Sequence, residues 1–278
     1  MFRAAVLGLL QGLTEFVPVS SSAHLVLVPF LLGWPAPDLS FDVAVHLGTA
    51  LAVITYFARD LSSILGGTWR TALRRGSSDD TKQARLLGLL AVASVPAGVA
   101  GISLEGLFED LFTGRNVDKV GAPVTALFLL GTAALLWIAE AVYARRAEES
   151  RREIHDITMV DAIIVGAFQA LAIAPGLSRS GSTIGAGVFR GLRRDAAARF
   201  SFLMSIPAIL GAGLVALPDV PSGTDWGPIV TGAIVAALTG FAAIAFLMRY
   251  LRTRTMRPFA VYCVLFAAVA LAYWSQTR

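Results

Sequence analysis

Two short stretches of this sequence hold most of the side chains that could do chemistry. In Gln11 to His24, QGLTEFVPVSSSAH, an amide, a carboxylate, three consecutive hydroxyls and an imidazole fall within fourteen residues. Gln11 and Glu15 are four apart and share a helix face. Ser20 and Ser21 stand four and three residues ahead of His24, so beyond the Val17-Pro18-Val19 break a hydroxyl and the imidazole can share a face too. In Pro175 to Thr183, PGLSRSGST, a Pro-Gly break is followed by Arg179 among Ser178, Ser180, Ser182 and Thr183. Hydroxyls, glycine and unpaired amides at a helix start make an anion site, and an arginine fork adds bidentate recognition of phosphate oxygens.

Together these are parts for phosphoryl transfer. Glu15, with Gln11, offers oxygen ligands to a hard divalent cation, Mg²⁺ or Ca²⁺. A serine hydroxyl or a water attacks phosphorus and His24 moves protons. Arg179 with nearby amides stabilises charge on the transferred group, and Ser20, Ser178, Ser180 and Thr183 are further phosphate-binding candidates. A proton-coupled anion carrier could use the same residues.

The composition says what scaffold must position them. The chain has 278 residues, 56% hydrophobic and 15% charged, against about 25% charged in soluble domains. Charge-free runs cover Leu86 to Leu104, Val120 to Ala139, Phe200 to Pro218, Trp226 to Met248 and Pro258 to Thr277. Each approaches the ~20 residues that cross a bilayer as a helix, and no strand-like alternation suggests a barrel. The fold class expected is an all-α polytopic integral membrane protein. A cleaved signal peptide at the N-terminus is disfavoured by Gln11 and Glu15 inside its apolar segment. The single Cys263 lies in an apolar run, which predicts a buried, inert thiol.

Of 23 Lys and Arg residues, 18 fall in Arg59 to Arg85, Arg145 to Arg152, Arg190 to Arg199 and Arg249 to Arg257. The positive-inside rule makes these segments cytoplasmic, solvated faces near lipid headgroups, and makes Glu105 to Lys119 and Asp219 to Trp226 external. Following the chain through these constraints, Asp161 to Phe189 begins and ends inside, yet is too short for two crossings. A re-entrant helix pair broken at Pro175-Gly176 fits. Ala4 to Leu32, broken at Val17-Pro18-Val19, makes a second pair that enters from outside, and Val43 to Ala58 follows it as a span. At a constant offset of 158, Gln11 meets Gln169, Leu13 meets Leu171, Ser20 meets Ser178 and Ser22 meets Ser180. The expectation is one membrane domain over 1–278 with about six spanning helices. It holds two inverted repeats, near 1–143 and 157–278, joined by a cytoplasmic linker near 144–156, with breaks facing each other as in many transporters.

Each residue also has a plainer role. The serines can be helix caps, His24 a satisfied core histidine, and Gln11 and Gln169 bonds between helices. Glu15 and Arg179 could neutralise each other as a structural ion pair, although ionisable groups at membrane depth cost several kcal/mol and are functional by default. Asp42 and His46, four apart near the outer end of the next span, form a second tier, with a helix-start role open to Asp42.

The motifs resemble those of the bacterial undecaprenyl-pyrophosphate phosphatases, the bacitracin-resistance family. The phrases that carry the likeness are QGLTEFVPVSSSAH, FDVAVHLGTALAV (Phe41 to Val53), FQALAIAPGLSRSGST (Phe168 to Thr183) and FSFLMSIPAILGAG (Phe200 to Gly213). The resemblance implies a multi-pass enzyme of the bacterial plasma (inner) membrane that removes the terminal phosphate of a C55 isoprenoid diphosphate. It implies a divalent cation, a site opening to the outer, periplasmic side, and bacitracin resistance. By the family pattern Glu15, His24 and Arg179 are indispensable, and Ser21, Ser178, Ser180 and Thr183 fall on motif hydroxyls. Many members carry Glu where this chain has Gln11, which leaves Glu15 the principal carboxylate. The family nucleophile is divided between the serine and the histidine. The spacing favours Ser21 with His24 as its base, and a metal-bound water stays open. The implied partners are the isoprenoid diphosphate and membrane lipids, with a homodimer left open and no nucleic acid. The alternative of another class is a transporter or flippase for an anionic isoprenoid lipid.

Overall fold

The computed structural model describes residues 1–112, 120–216 and 225–277. Among them the chain forms eleven α-helices: α1 (Phe2–Phe16), α2 (Ser21–Leu32), α3 (Leu39–Tyr56), α4 (Ala58–Ala72), α5 (Ser78–Phe112), α6 (Ala122–Ala144), α7 (Met159–Leu171), α8 (Arg179–Phe189), α9 (Arg194–Ala216), α10 (Trp226–Tyr250) and α11 (Arg257–Gln276). Six are long and apolar enough to cross a bilayer: α3, α5 over Ser78–Ser103, α6, α9, α10 and α11. The protein is an all-α polytopic membrane protein. Of the connections expected outside, Glu105 to Lys119 is helical as far as Phe112, as the end of α5, and its remainder lies outside the described residues, as do 219–224 of Asp219 to Trp226.

Local chemistry sets the ends. Asp38 caps α3 through the Phe41 amide at 2.7 Å, and Thr158 with Asp161 closes a capping box on α7. Asp225 caps α10 through the Gly227 amide, and prolines occupy the first turns of α6 and α11.

The short pairs α1–α2 and α7–α8 are the two broken hairpins. Three long apolar helices (α3, α5 and α6) separate them and three more (α9, α10 and α11) follow. An odd number of crossings reverses the side from which the second hairpin enters. Each hairpin's first helix lies against a long helix of the other half of the chain, α1 on α10 and α7 on α5. The two contacts are built alike. A Cβ at Gly8 would stand 2.4 Å from the Gly232 carbonyl oxygen, and one at Gly166 would stand 2.4 Å from that of Ala93. Gly8 and Gly166 are themselves 158 apart. The offset seen in the hydroxyl pattern thus recurs in the backbone crossings.

The basic segments differ from the solvated faces expected of them. Arg59 to Arg85 is mostly helical, because α4 fills it and α5 begins at Ser78. Arg194 makes a bidentate pair with buried Glu140 at 2.7 and 2.6 Å, and Glu140 also accepts the Met256 amide at 2.9 Å. The Asp161 carboxylate accepts bonds from Arg152 (2.7 and 3.2 Å) and Arg190 (2.8 Å). Burial opposes its ionisation, but these bonds and those from Thr158 hold the carboxyl well below the usual carboxylate range. These arginines tie helix ends together.

Candidate active site

The two breaks meet. Ser20 is the N-cap of α2, with φ 68, and its hydroxyl accepts the Ala23 amide at 3.3 Å. Ser178 is the N-cap of α8, and its hydroxyl accepts the Gly181 amide at 3.0 Å. A second hydroxyl follows each cap at about the same distance, Ser22 at 3.1 Å from Ser20 and Ser180 at 3.2 Å from Ser178. Those second hydroxyls cross over. Ser22 accepts the Gly176 amide of the opposite break at 3.4 Å, and Ser180 donates to the Val17 carbonyl at 3.2 Å. The tips are therefore locked by a reciprocal exchange.

This lock brings Glu15 and Arg179 together. The Glu15 carboxylate, 5% exposed, accepts hydrogen bonds from the Arg179 guanidinium and the Ser21 hydroxyl, and from the Gln11 amide at 3.0 Å. His46 reaches over from α3. Its Nδ1 donates to the Asp42 carbonyl at 2.8 Å, and its Nε2 lies 3.8 Å from Glu15 Oε2. Exposure rises from Glu15 to His46 (28%) and Asp42 (43%), so the site opens past the start of α3. The Asp42–His46 pair, second-tier in the sequence, belongs beside the carboxylate; its four-residue spacing was the available signal.

Two polar atoms in this cluster are buried without a partner: Arg179 Nη1 and Gln11 Oε1. Buried polar groups are nearly always satisfied, so each orphan calls for an explanation. A purely structural Glu15–Arg179 pair leaves both unexplained. An anion on Nη1 and a cation on Oε1 would satisfy both.

Two expectations about side-chain direction differ from what is seen. The Ser21–His24 hydroxyl–imidazole pair is not formed. Ser21 turns to Glu15, whereas His24 Nδ1 lies 2.7 Å from the Ser20 carbonyl oxygen and Nε2 2.7 Å from the Tyr262 hydroxyl. His24 is 2% exposed and lies against the rings of Tyr262 and Phe266. Second, the hydroxyls offered as phosphate ligands have protein partners. Ser20 and Ser178 cap helices and Ser180 crosses to Val17. Thr183 bonds the Arg179 carbonyl at 2.8 Å and Ser201 at 2.6 Å. At Ser20 and Ser178 a helix-start amide left unpaired by the break claims the hydroxyl.

Both tips are braced from outside the hairpins by residues that sequence reasoning missed. Thr132 on α6 donates to the Gly176 carbonyl at 3.0 Å and accepts the Ser178 amide at 2.9 Å. On α11, Tyr262 bonds His24, and the neighbouring Cys263 thiol, buried as expected, lies 3.9 Å from the Pro18 carbonyl.

Among the described residues no group of three or more His, Cys, Asp or Glu could hold a metal alone. Of the two expected metal ligands, Gln11 turns its Nε2 to Glu15 and leaves Oε1 without a partner, while the Glu15 oxygens accept from Arg179, Ser21 and Gln11.

The family model for bacitracin resistance protein BacA matches residues 4–269. The undecaprenyl-diphosphatase of Thermomicrobium roseum is 43% identical, covering 100% of this chain and 99% of that one. Its counterpart in Alcanivorax borkumensis is 46% identical over 98% of both chains. The one in Moorella thermoacetica is 42% identical over 99% and 98%. The locked tips with their shared carboxylate and arginine are thus those of a chain that belongs to the bacitracin resistance protein BacA family.

Proposed function

We propose that this protein is an undecaprenyl-diphosphatase, which hydrolyses the terminal phosphate of the C55 isoprenoid diphosphate to give the monophosphate lipid carrier and thereby confers bacitracin resistance. The family and the relatives' names support the activity. The observation that carries the site is the buried, unpartnered Nη1 of an arginine whose other amino group already bonds Glu15. That donor is left for a phosphate oxygen.

In the reaction, Ser21 Oγ attacks the terminal phosphorus, and its proton passes to the Glu15 carboxylate it already bonds. The bond from phosphorus to the bridging oxygen breaks, and the lipid monophosphate leaves with that oxygen. Glu15 first loses that proton towards His46, and water then attacks the phosphoserine and gives a proton to Glu15. Ser21 Oγ leaves phosphorus and takes this proton back from Glu15, and inorganic phosphate is released. Arg179 Nη1 stabilises the charge gathering on the equatorial oxygens while Nη2 holds Glu15. His46, with Nδ1 engaged by Asp42, presents Nε2 towards Glu15 and is the group through which the proton reaches solvent.

Glu15 and Arg179 sum to no charge, so the diphosphate brings uncompensated charge into the site. Glu15 and Gln11 would hold a divalent cation that arrives with the substrate, and its role is to neutralise phosphate charge. The exposed side of the site lies at the start of α3, next to the Gly33 to Asp38 connection that follows α2. With the basic segments inside, that mouth faces outward from the plasma membrane.

The test is phosphate release from C55 diphosphate by purified protein with Mg²⁺ or Ca²⁺. Glu15→Gln and Arg179→Ala should abolish it, and release that survives both would remove the site assignment. Transfer of labelled lipid across liposomes without phosphate release would favour a carrier.

A further inference from the structure

The residue that fixes the orientation of His24 lies at the far end of the chain, on α11. We infer that Tyr262 and His24 form a clasp that positions the nucleophile and takes no direct part in proton transfer. This rests on the proposed phosphatase reading of the Glu15 site.

The argument begins at Ser20. A non-glycine residue at φ 68 is disfavoured by the clash of its Cβ with the backbone, so neighbouring groups must hold it there. The Ser20 carbonyl can only accept. His24 Nδ1, 2.7 Å away, must carry the hydrogen. In the neutral ring the lone pair then sits on Nε2, where the Tyr262 hydroxyl stands at 2.7 Å and donates. One tautomer is selected, and both ring nitrogens are in use.

The ring is also fixed in plane. Tyr262 lies parallel to it at 3°, with centroids 5.7 Å apart, and Phe266 is at 19° and 4.6 Å. Neither nitrogen is free for Ser21, whose hydroxyl bonds Glu15. The Ser20 carbonyl, one peptide before Ser21, accepts the His24 amide at 3.3 Å and, more closely, the imidazole Nδ1 at 2.7 Å. Holding that carbonyl holds the turn, and the turn places Ser21 against the carboxylate. Tyr262 is thus a positioning residue two shells from the phosphate, supplied by the opposite half of the chain.

Amide side chains can separate positioning from proton transfer. An asparagine amide overlays Nδ1 of histidine and can still donate to the Ser20 carbonyl. A glutamine amide reaches instead towards Nε2. We expect His24→Asn to keep kcat within about tenfold of wild type and His24→Gln to lose about a thousandfold, on the scale of one charge-free hydrogen bond against a misplaced nucleophile. Tyr262→Phe keeps the ring stack and should lower kcat about tenfold with KM unchanged. In ¹⁵N-histidine spectra, wild-type His24 should show Nδ1 protonated and Nε2 bare, and Tyr262→Phe should shift Nε2.

Equal inactivity of folded His24→Asn and His24→Gln would overturn the inference, because the imidazole itself would then be moving the proton. So would a wild-type spectrum with Nε2 protonated, or Tyr262→Phe with unchanged kcat and spectrum. The spectrum reads the clasp without turnover. If wild-type protein released no phosphate, the functional reading would fail while the clasp was still measured.

Discussion

At the second tip the chain reverses through Gly176, φ 105, where a Cβ would stand 2.3 Å from the Thr125 carbonyl oxygen. At the first tip the position aligned with Gly176 is Pro18, and the positive φ falls instead on Ser20, φ 68. The second tip uses the one residue that adopts such angles freely. The first uses a residue that does not, and surrounds it with a histidine, a tyrosine and a cap. The aligned chemistry is just as unequal: Ser21 answers to Arg179, Glu15 to Ile173 and His46 to Met204. The acid and the proposed nucleophile stand on the first tip and the cation on the second, so the proposed site needs both. Backbone strain sits on the tip that carries Ser21, the proposed nucleophile, and strained residues tend to be found at such sites.

The comparison can be broken in four ways. The largest effect falls on the cation: Arg179→Lys should lower kcat/KM about a thousandfold, or ~4 kcal/mol, since a point charge cannot bond Glu15 and phosphate together. Near-normal phosphate release would mean charge alone suffices at the second tip. Next, Gly176→Ala should destabilise the fold by about 3 kcal/mol, through the forbidden φ and the Thr125 contact. A thermal midpoint in detergent within a degree of wild type would refute the need for glycine. Thr132→Val removes the brace on the Gly176 carbonyl and Ser178 amide and should cost about 2 kcal/mol by leaving buried groups unpaired, read from the same melting curve. The smallest effect is at the first tip. Ser20→Gly relieves about 1 kcal/mol of strain against a few tenths for the lost cap, so the midpoint should hold or rise slightly while phosphate release falls. A clear loss of stability would show that Ser20 is not strained.

Much of this was legible because membranes impose simple rules. Charge-free runs located the long apolar helices, and two stretches too short for double crossings exposed the hairpins. Glu15 and Arg179 stood out as charges at depth. Directions of side chains were not legible. Ser20, Ser178 and Thr183 have one hydroxyl each, and sequence does not say whether a ligand or a nearby amide will take it. The Ser21–His24 spacing was right for a pair on a helix, but Tyr262, 238 residues after His24, decides where the ring points. Thr132 sits in an apolar run where a hydroxyl looks like filler until the broken backbone arrives beside it.

The crossed seating of α1 on α10 and α7 on α5 has a consequence for biosynthesis. Gly8 is translated more than two hundred residues before Gly232, the surface it must nest against. The first hairpin leaves the ribosome with a carboxylate and no berth, and waits for the last quarter of the polypeptide before it can settle. Cutting the chain in the linker near residue 150 would give two fragments with complementary vacancies, each able to finish only around the other.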